Sequence, residues 1–185
     1  MSSGKRESPK DVAAVRLPEA STDDGQTVAD LSESPLMVIG WREWVTMPQL
    51  GIRAIKAKID TGARSSSIHA YDIEPFTDEV SGRSRVRFSV HPAQRNETWS
   101  VQCEADVADV RSVRSSSGEA SDRYVIETPV TWLGQSWTIE LTLASRFEMG
   151  FRMLLGREAV RGRMLVDPGR SYFGPRPRRK KKKRS

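Results

Sequence analysis

The chain has 185 residues, a formal charge of +6, a single cysteine and five tryptophans. This length accommodates one domain or two small ones. One cysteine excludes an intrachain disulfide and, with it, a small secreted fold held by disulfides. Nowhere do about 18 apolar residues follow one another, and the N-terminus lacks the apolar run of a signal peptide. A cytoplasmic protein with no membrane span is the expectation.

The charge divides the chain into three. Residues 1–34 carry four basic and seven acidic side chains and no aromatic residue. Such a composition buries too little apolar area to repay the cost of ordering, so a disordered extension is expected. Residues 174–185 carry eight basic side chains and no acid. This basic tail, also expected to be disordered, could reach RNA, an anionic membrane or an acidic protein through long-range attraction. Weak nucleic-acid contact is therefore assigned to the tail. Residues 35–173 hold 18 basic and 17 acidic side chains, nearly neutral, and suffice for a single small core.

Within that core, Leu36–Gly40 reads as a short strand, followed by Trp41, Trp44 and Val45. Turn residues at 47–51 precede a strand over Ile52–Ile59. There Ile55, Ala57 and Ile59 share one face while Lys56 and Lys58 share the other. Asp60-Thr61-Gly62-Ala63 ends this strand, and Ser65–Ala70 leads into Tyr71–Phe76. Further strands are predicted over Arg83–Val90 and Glu97–Cys103, with turns at 78–82 and 91–96. The Arg- and Ser-rich stretch Val107–Ser121 reads as a mobile polar region. Strands Tyr124–Val130 and Ser136–Leu143 flank a hairpin turn around Leu133-Gly134-Gln135. A buried segment, Phe151–Gly156, a short helix, Arg157–Val160, and a strand, Met164–Val166, complete the core. Eight or so short strands without a long amphipathic helix predict an all-β fold, a small closed and mostly antiparallel barrel. Trp41, Trp44, Trp99, Trp132 and Trp137 read as barrel core and rim; along the sequence they do not alternate with clustered basic residues as a base-stacking surface would.

An Asp at the end of an apolar strand, followed by a hydroxyl residue and Gly, can present a carboxylate from a tight turn. Gly62 would admit a backbone conformation closed to most residues, and Thr61 could fix the turn by hydrogen bonding. Alone the tetrapeptide is common in ordinary turns. Its weight comes from the apolar element Leu154-Leu155-Gly156-Arg157, ninety-odd residues later.

Together these two elements resemble those of the retropepsin-like aspartic peptidases. More narrowly, the core is similar to the RimK-associated members once labelled ATP-dependent zinc proteases. The matching pieces are Gly40–Val45, Lys58–Ala70, Met153–Glu158 and Leu165–Ser171, spanning roughly Met37 to Phe173. The resemblance implies a small closed barrel with a psi-shaped loop, in which Leu154, Leu155 and Gly156 pass behind the Asp turn and a short helix follows. It also implies a catalytic water held between two carboxylates, which titrate as one unit because like charges so close cannot both ionise cheaply.

The chain has one Asp-Thr-Gly, and Asp167-Pro168-Gly169 lacks both the hydroxyl residue and a second apolar-apolar-Gly partner. A homodimer supplying Asp60 twice is the economical solution. In this reading Asp60, Thr61 and Gly62 are catalytic. Ala63 keeps the cleft floor small, Arg64 and Lys58 contact an acidic substrate, and Leu154, Leu155, Gly156 and Arg157 support the loop. A glutamate-rich protein tail is the substrate implied, with a RimK-type ligase as a possible partner. The alternative is a catalytically weak barrel that binds acidic peptides or such a ligase. No cofactor is expected: the chain has only His69 and His91, no His-Glu-x-x-His, and no Gly-rich Lys-Ser/Thr loop. A zinc site from His69, Cys103 and a carboxylate is disfavoured because nothing in the spacing fixes its geometry.

Overall fold

The computed structural model describes residues 36–94, 98–114, 120–145 and 150–176. The expectation of disordered termini falls on residues 1–34 and on the tail, which lie largely outside this set. The strands are β1 (Met37–Gly40), β2 (Arg42–Met47), β3 (Ile52–Asp60), β4 (Ser66–His69), β5 (Tyr71–Thr77) and β6 (Ser84–Val90). They continue with β7 (Val101–Arg114), β8 (Ala120–Trp132), β9 (Gln135–Ala144), β10 (Met153–Gly156) and β11 (Met164–Asp167). One short helix, α1, covers Arg157–Val160.

Six strands in the order β2-β3-β10-β4-β9-β8 form the barrel, closed where Thr46 of β2 pairs with Thr131 of β8. Beyond β8 the sheet continues outward through β7, β6 and β5, while β1 and β11 form a separate parallel pair. The fold is all-β and its barrel matches the expected retropepsin-like type. The alternation read from β3 is correct: Ile55, Ala57 and Ile59 are buried, Lys58 is exposed and Lys56 is half-buried. They meet Ile68, Leu141, Leu143, Met153 and Leu155 in one apolar cluster. Each large apolar side chain fully buried there contributes about 1.5–3 kcal/mol.

The β8–β9 hairpin is tight because Leu133 (φ 47°) and Gly134 (φ 81°) both take the left-handed conformation. Two such residues match the twist of the strands they join, and Gly134 does so without steric cost.

Three expectations need correction. The stretch 107–121 is not a polar loop: β7 runs to Arg114 and β8 starts at Ala120, paired from Val107↔Ile126 to Arg114↔Ala120. From Val107 to Ser112 its side chains are exposed or half-buried and show no apolar alternation, while backbone pairing is indifferent to side-chain polarity. Residues 115–119, at its tip, lie outside the described set. The Trp41–Val45 region, read only as aromatic residues after a strand, contains most of β2. Finally, the strand expected from Glu97 starts at Val101.

Candidate active site

Asp60 is the last residue of β3, and its position follows from what stands on either side. β10 runs parallel to β3, in register Leu154↔Lys58, Leu155↔Ile59 and Gly156↔Asp60. It also pairs antiparallel with β4 through Met153↔Ile68 and Leu154↔Ser67. The chain thus leaves β3, turns through residues 61–65 and returns as β4, with β10 threaded between the two. This is the psi arrangement.

Gly156 is where the threading is tightest. A Cβ there would stand 2.5 Å from the carbonyl carbon and oxygen of Ser65 and 2.7 Å from the carbonyl oxygen of Arg64. Only a residue without a Cβ lets the two backbones approach this closely. The Gly156 amide donates to Ser66 Oγ at 3.2 Å. The next two amides, at the start of α1, donate to the turn itself: Arg157 N to Ala63 O at 2.8 Å, and Glu158 N to Arg64 O at 3.2 Å. The Arg157 guanidinium reaches the Gly62 carbonyl at 3.5 Å. Leu154 and Leu155 are buried behind the turn. Of the four supporting residues predicted from sequence, Arg157 reaches Gly62 and Ala63, Gly156 pairs with Asp60, and Leu154 and Leu155 lie beside Lys58 and Ile59.

The turn closes on the carboxylate. The Ala63 amide donates to Asp60 Oδ1 and to the Asp60 carbonyl, both at 3.2 Å, and the Asp60 side chain is half-buried. Thr61 is exposed, and among the described residues its side chain makes no hydrogen bond that would fix this turn. Gly62 is not in the left-handed region. Its missing side chain instead leaves room beside the carboxylate, since a Cβ would lie 3.4 Å from Asp60 Oδ1. Arg64 and Lys58 are exposed, and among the described residues neither has an ion-pair partner.

Other candidates are occupied elsewhere. Asp167 Oδ1 accepts from the Gly169 amide at 2.8 Å, and Oδ2 pairs with Arg170 at 2.9 Å. Cys103 is buried, its thiol donating to the Leu50 carbonyl at 3.3 Å, and burial pushes its pKa up to about 11. A thiol held protonated is a poor metal ligand and a poor nucleophile. His69 is buried and stacks on Tyr71 at 6.3 Å. Among the described residues no three His, Cys, Asp or Glu side chains gather in a metal-ligating group.

Sequence reading missed Glu43. It is fully buried, and its carboxylate accepts from the Gly40 amide (3.1 Å), the Phe173 amide (2.8 Å), the Gly174 amide (3.2 Å) and Trp132 Nε1 (3.3 Å). These bonds tie the C-terminal segment across the β1–β2 turn. That turn in turn holds β3, because the Ile59 amide, one residue before Asp60, donates to Trp41 O at 2.9 Å. A signal did exist: Glu43 shares its strand parity with Val45 and Met47, so an acid points inward.

The comparisons agree with this geometry. The family model described as "RimB-like: Retropepsin-like aspartic endopeptidase RimB" matches residues 38–177. The chain belongs to the RimB-like family. Membership places it among the aspartic-type peptidases. A solved structure of a Legionella pneumophila protein of unknown function is similar, with a TM-score of 0.61 and 26% identity over 74% of this chain and 97% of that one. Two relatives, from Shewanella pealeana and Shewanella halifaxensis, are each 48% identical over 135 residues; a third, from Desulfotalea psychrophila, is 47% identical over 131. All three are named probable alpha-L-glutamate ligases. The matches cover 73%, 73% and 71% of this chain but only 29%, 29% and 28% of the relatives' length.

Proposed function

We propose that this chain is an endopeptidase acting as a homodimer, with Asp60 from each subunit sharing one water and one proton. The observation that carries this reading is the single Asp60 turn, built to hold one carboxylate, in a chain whose family uses aspartic chemistry. One carboxylate takes a proton from the water as its oxygen attacks the scissile carbonyl carbon. The other, protonated, donates to the carbonyl oxygen, giving a tetrahedral diol. A carboxyl proton then passes to the amide nitrogen, the C–N bond breaks, and acid and amine leave. Both carboxylates return to their shared-proton state.

Thr61 on the subunit surface is assigned to the contact between the two turns. The β7–β8 hairpin is assigned to covering the cleft: five residue pairs, from Val110↔Tyr124 to Arg114↔Ala120, extend beyond its last pairing with β9, at Val125↔Thr142. A glutamate-rich protein tail is the substrate class, with Lys58 and Arg64 as unpaired cations flanking Asp60 to attract it. Relatives named as glutamate ligases support this choice, since a ligase that adds glutamates would supply such a tail. A cytoplasmic setting suits the lone reduced thiol. The second reading, a weakly active module that docks on acidic peptides or on a RimK-type ligase, draws on the same relatives, in which the matched region is less than a third of a longer protein.

Subunit mixing decides between them. Wild-type chain titrated with excess Asp60→Asn chain should lose cleavage of a poly-glutamate peptide in proportion to the heterodimer formed, because each mixed site has one carboxylate. Activity that stays proportional to wild-type chain alone would show a site complete within one subunit. No cleavage by wild-type protein, with retained peptide binding, would favour the docking module.

A further inference from the structure

On the outer face of β2, β3 and the C-terminal segment, aromatic rings and cations alternate. The Arg42 guanidinium lies 4.4 Å from the Trp41 ring centre and 5.1 Å from that of Tyr172. Lys56 Nζ stands 6.0 Å from Tyr172 and 5.6 Å from Trp44, and Arg176 ends the row 5.0 Å from Trp44. Trp44 and Tyr172 are themselves stacked at 6.3 Å. Lys58, opposite Arg42 in the β2–β3 register, continues the row toward Asp60.

None of these cations has a carboxylate partner among the described residues, and Arg42 Nε is buried without an acceptor. The outer face of β6 and β7 is different. There Arg85 and Arg87 also lie over a ring, that of Phe76, yet they pair with Asp106 and Glu104. Among the described residues, one face supplies its own anions and the other does not. From Arg176 the sequence continues with seven more basic side chains between residues 178 and 184.

We propose that this face binds single-stranded nucleic acid, with the cations on phosphates and Trp44 and Tyr172 stacking against bases. Interleaved rings and unpaired cations are what a single strand uses, because every base offers a π-face and every linkage a charge. An open cleft of about 310 Å³ beside Trp44, between Thr46, Thr131, Leu133 and Pro175, gives a splayed base somewhere to go. An acidic peptide would engage the cations but leave the rings without a role, and a duplex would keep its bases stacked away from them. The inference is independent of the peptidase reading.

The test is fluorescence anisotropy of labelled rU20 and dT20 with the full-length protein, across salt. Both oligonucleotides should bind at low salt. Trp44→Ala should weaken binding about tenfold and Trp44→Phe much less, as loss of one stacked base predicts. Lys56→Gln should lower the slope of log K against log salt by about 0.7, one phosphate contact on a single strand. Preference for RNA over DNA would add contacts to the 2′-hydroxyl; equal affinity fits backbone-and-stacking recognition. Melting temperatures of the variants, with Trp44→Phe as the conservative control, separate loss of the surface from loss of fold. Three outcomes would overturn the proposal. One is no binding at low salt. Another is a Trp44→Ala variant that folds and binds normally while poly-L-glutamate of matched charge displaces the oligonucleotide equally well, which would mark an acidic-peptide surface. The third is complete loss when Lys180, Lys181, Lys182 and Lys183 are changed to glutamine, with no effect of Trp44 or Lys56, which would leave the tail as a nonspecific binder.

Discussion

Two places in this barrel tie distant pieces of chain together, and they do so by different means. At the Asp60 turn, β10 and the start of α1 are stitched to residues 63–66 mostly through backbone groups, with Gly156 absent of side chain at the crossing. At the start of β2, beside the same end of β3, the β1–β2 turn and the C-terminal segment are tied by one buried side chain, Glu43, taking four N–H donors. The backbone knot leaves the Asp60 carboxylate half-exposed and available for chemistry. The Glu43 knot consumes its carboxylate completely. Identical functional groups are thus left open in one place and spent on architecture in the other, according to whether the surrounding donors leave an oxygen free.

Breaking that comparison at Asp60 should give the largest effect. Asp60→Asn keeps the volume but removes the ionisable group, so kcat should fall by about 10²–10⁴-fold, the usual worth of acid–base catalysis, with little change in melting temperature. Full activity in the variant would remove Asp60 from the mechanism. Gly156→Ala strikes the same knot through packing. Its Cβ would meet backbone that cannot swing aside, and overpacking should cost about 3 kcal/mol, read by denaturant unfolding, with activity lost alongside stability.

Glu43→Ala tests the second knot. It strands three backbone amides and an indole N–H, at about 1–3 kcal/mol for a stranded group. With part of that recovered by water, a net loss of about 2–3 kcal/mol is expected, with faster tryptic cleavage after Arg170. A variant as stable as wild type would mean that the C-terminal segment contributes nothing to the fold.

Arg64→Glu sharpens the functional side. It should lower kcat/KM for a glutamate-rich peptide several-fold more than for a neutral one, with the difference fading as salt rises past physiological strength, where the screening length is about 8 Å. Equal losses for both peptides would make Arg64 structural.

The smallest effect concerns Cys103. Its pKa is raised from 9.0 to about 11 by burial, so between those values the unfolded chain gives up a proton that the folded chain keeps. Stability should therefore decline as pH rises past about 9, by at most about 1.4 kcal/mol per pH unit. Comparing melting temperatures at pH 8 and pH 10 should show a smaller decline in Cys103→Ala than in wild type.

Much of the site was legible because its signals are local. Asp60-Thr61-Gly62-Ala63 and Leu154-Leu155-Gly156-Arg157 each occupy one turn or strand, and alternation in β3 marked which residues face inward. The roles of individual residues were less legible. Thr61 and Gly62 were read through generic turn chemistry, whereas an amide of Ala63 does the closing and Gly62 serves by leaving space. The β7–β8 arm escaped notice because the side chains from Val107 to Ser112 are exposed or half-buried and carry no alternating pattern. The tryptophans were read as core and rim: Trp132 is buried, and Trp41 and Trp44 are half-buried with cations over their rings. Their neighbouring cations come from β2, β3 and the C-terminal segment, so no window of sequence shows the alternation.

The sequence by itself determined the all-β class, the inward face of β3, and the candidate turn at Asp60 with its glycine-bearing partner strand. Each depends on backbone preferences and side-chain periodicity over a few residues. Tertiary structure alone decided that Glu43 would meet Phe173 and Gly174, 130 and 131 positions away, and that Arg42, Lys56 and Arg176 would stand against rings with no acidic partner among the described residues. Those arrangements arise when barrel closure brings remote segments together, and what a carboxylate or a cation does is set by the partners that closure delivers.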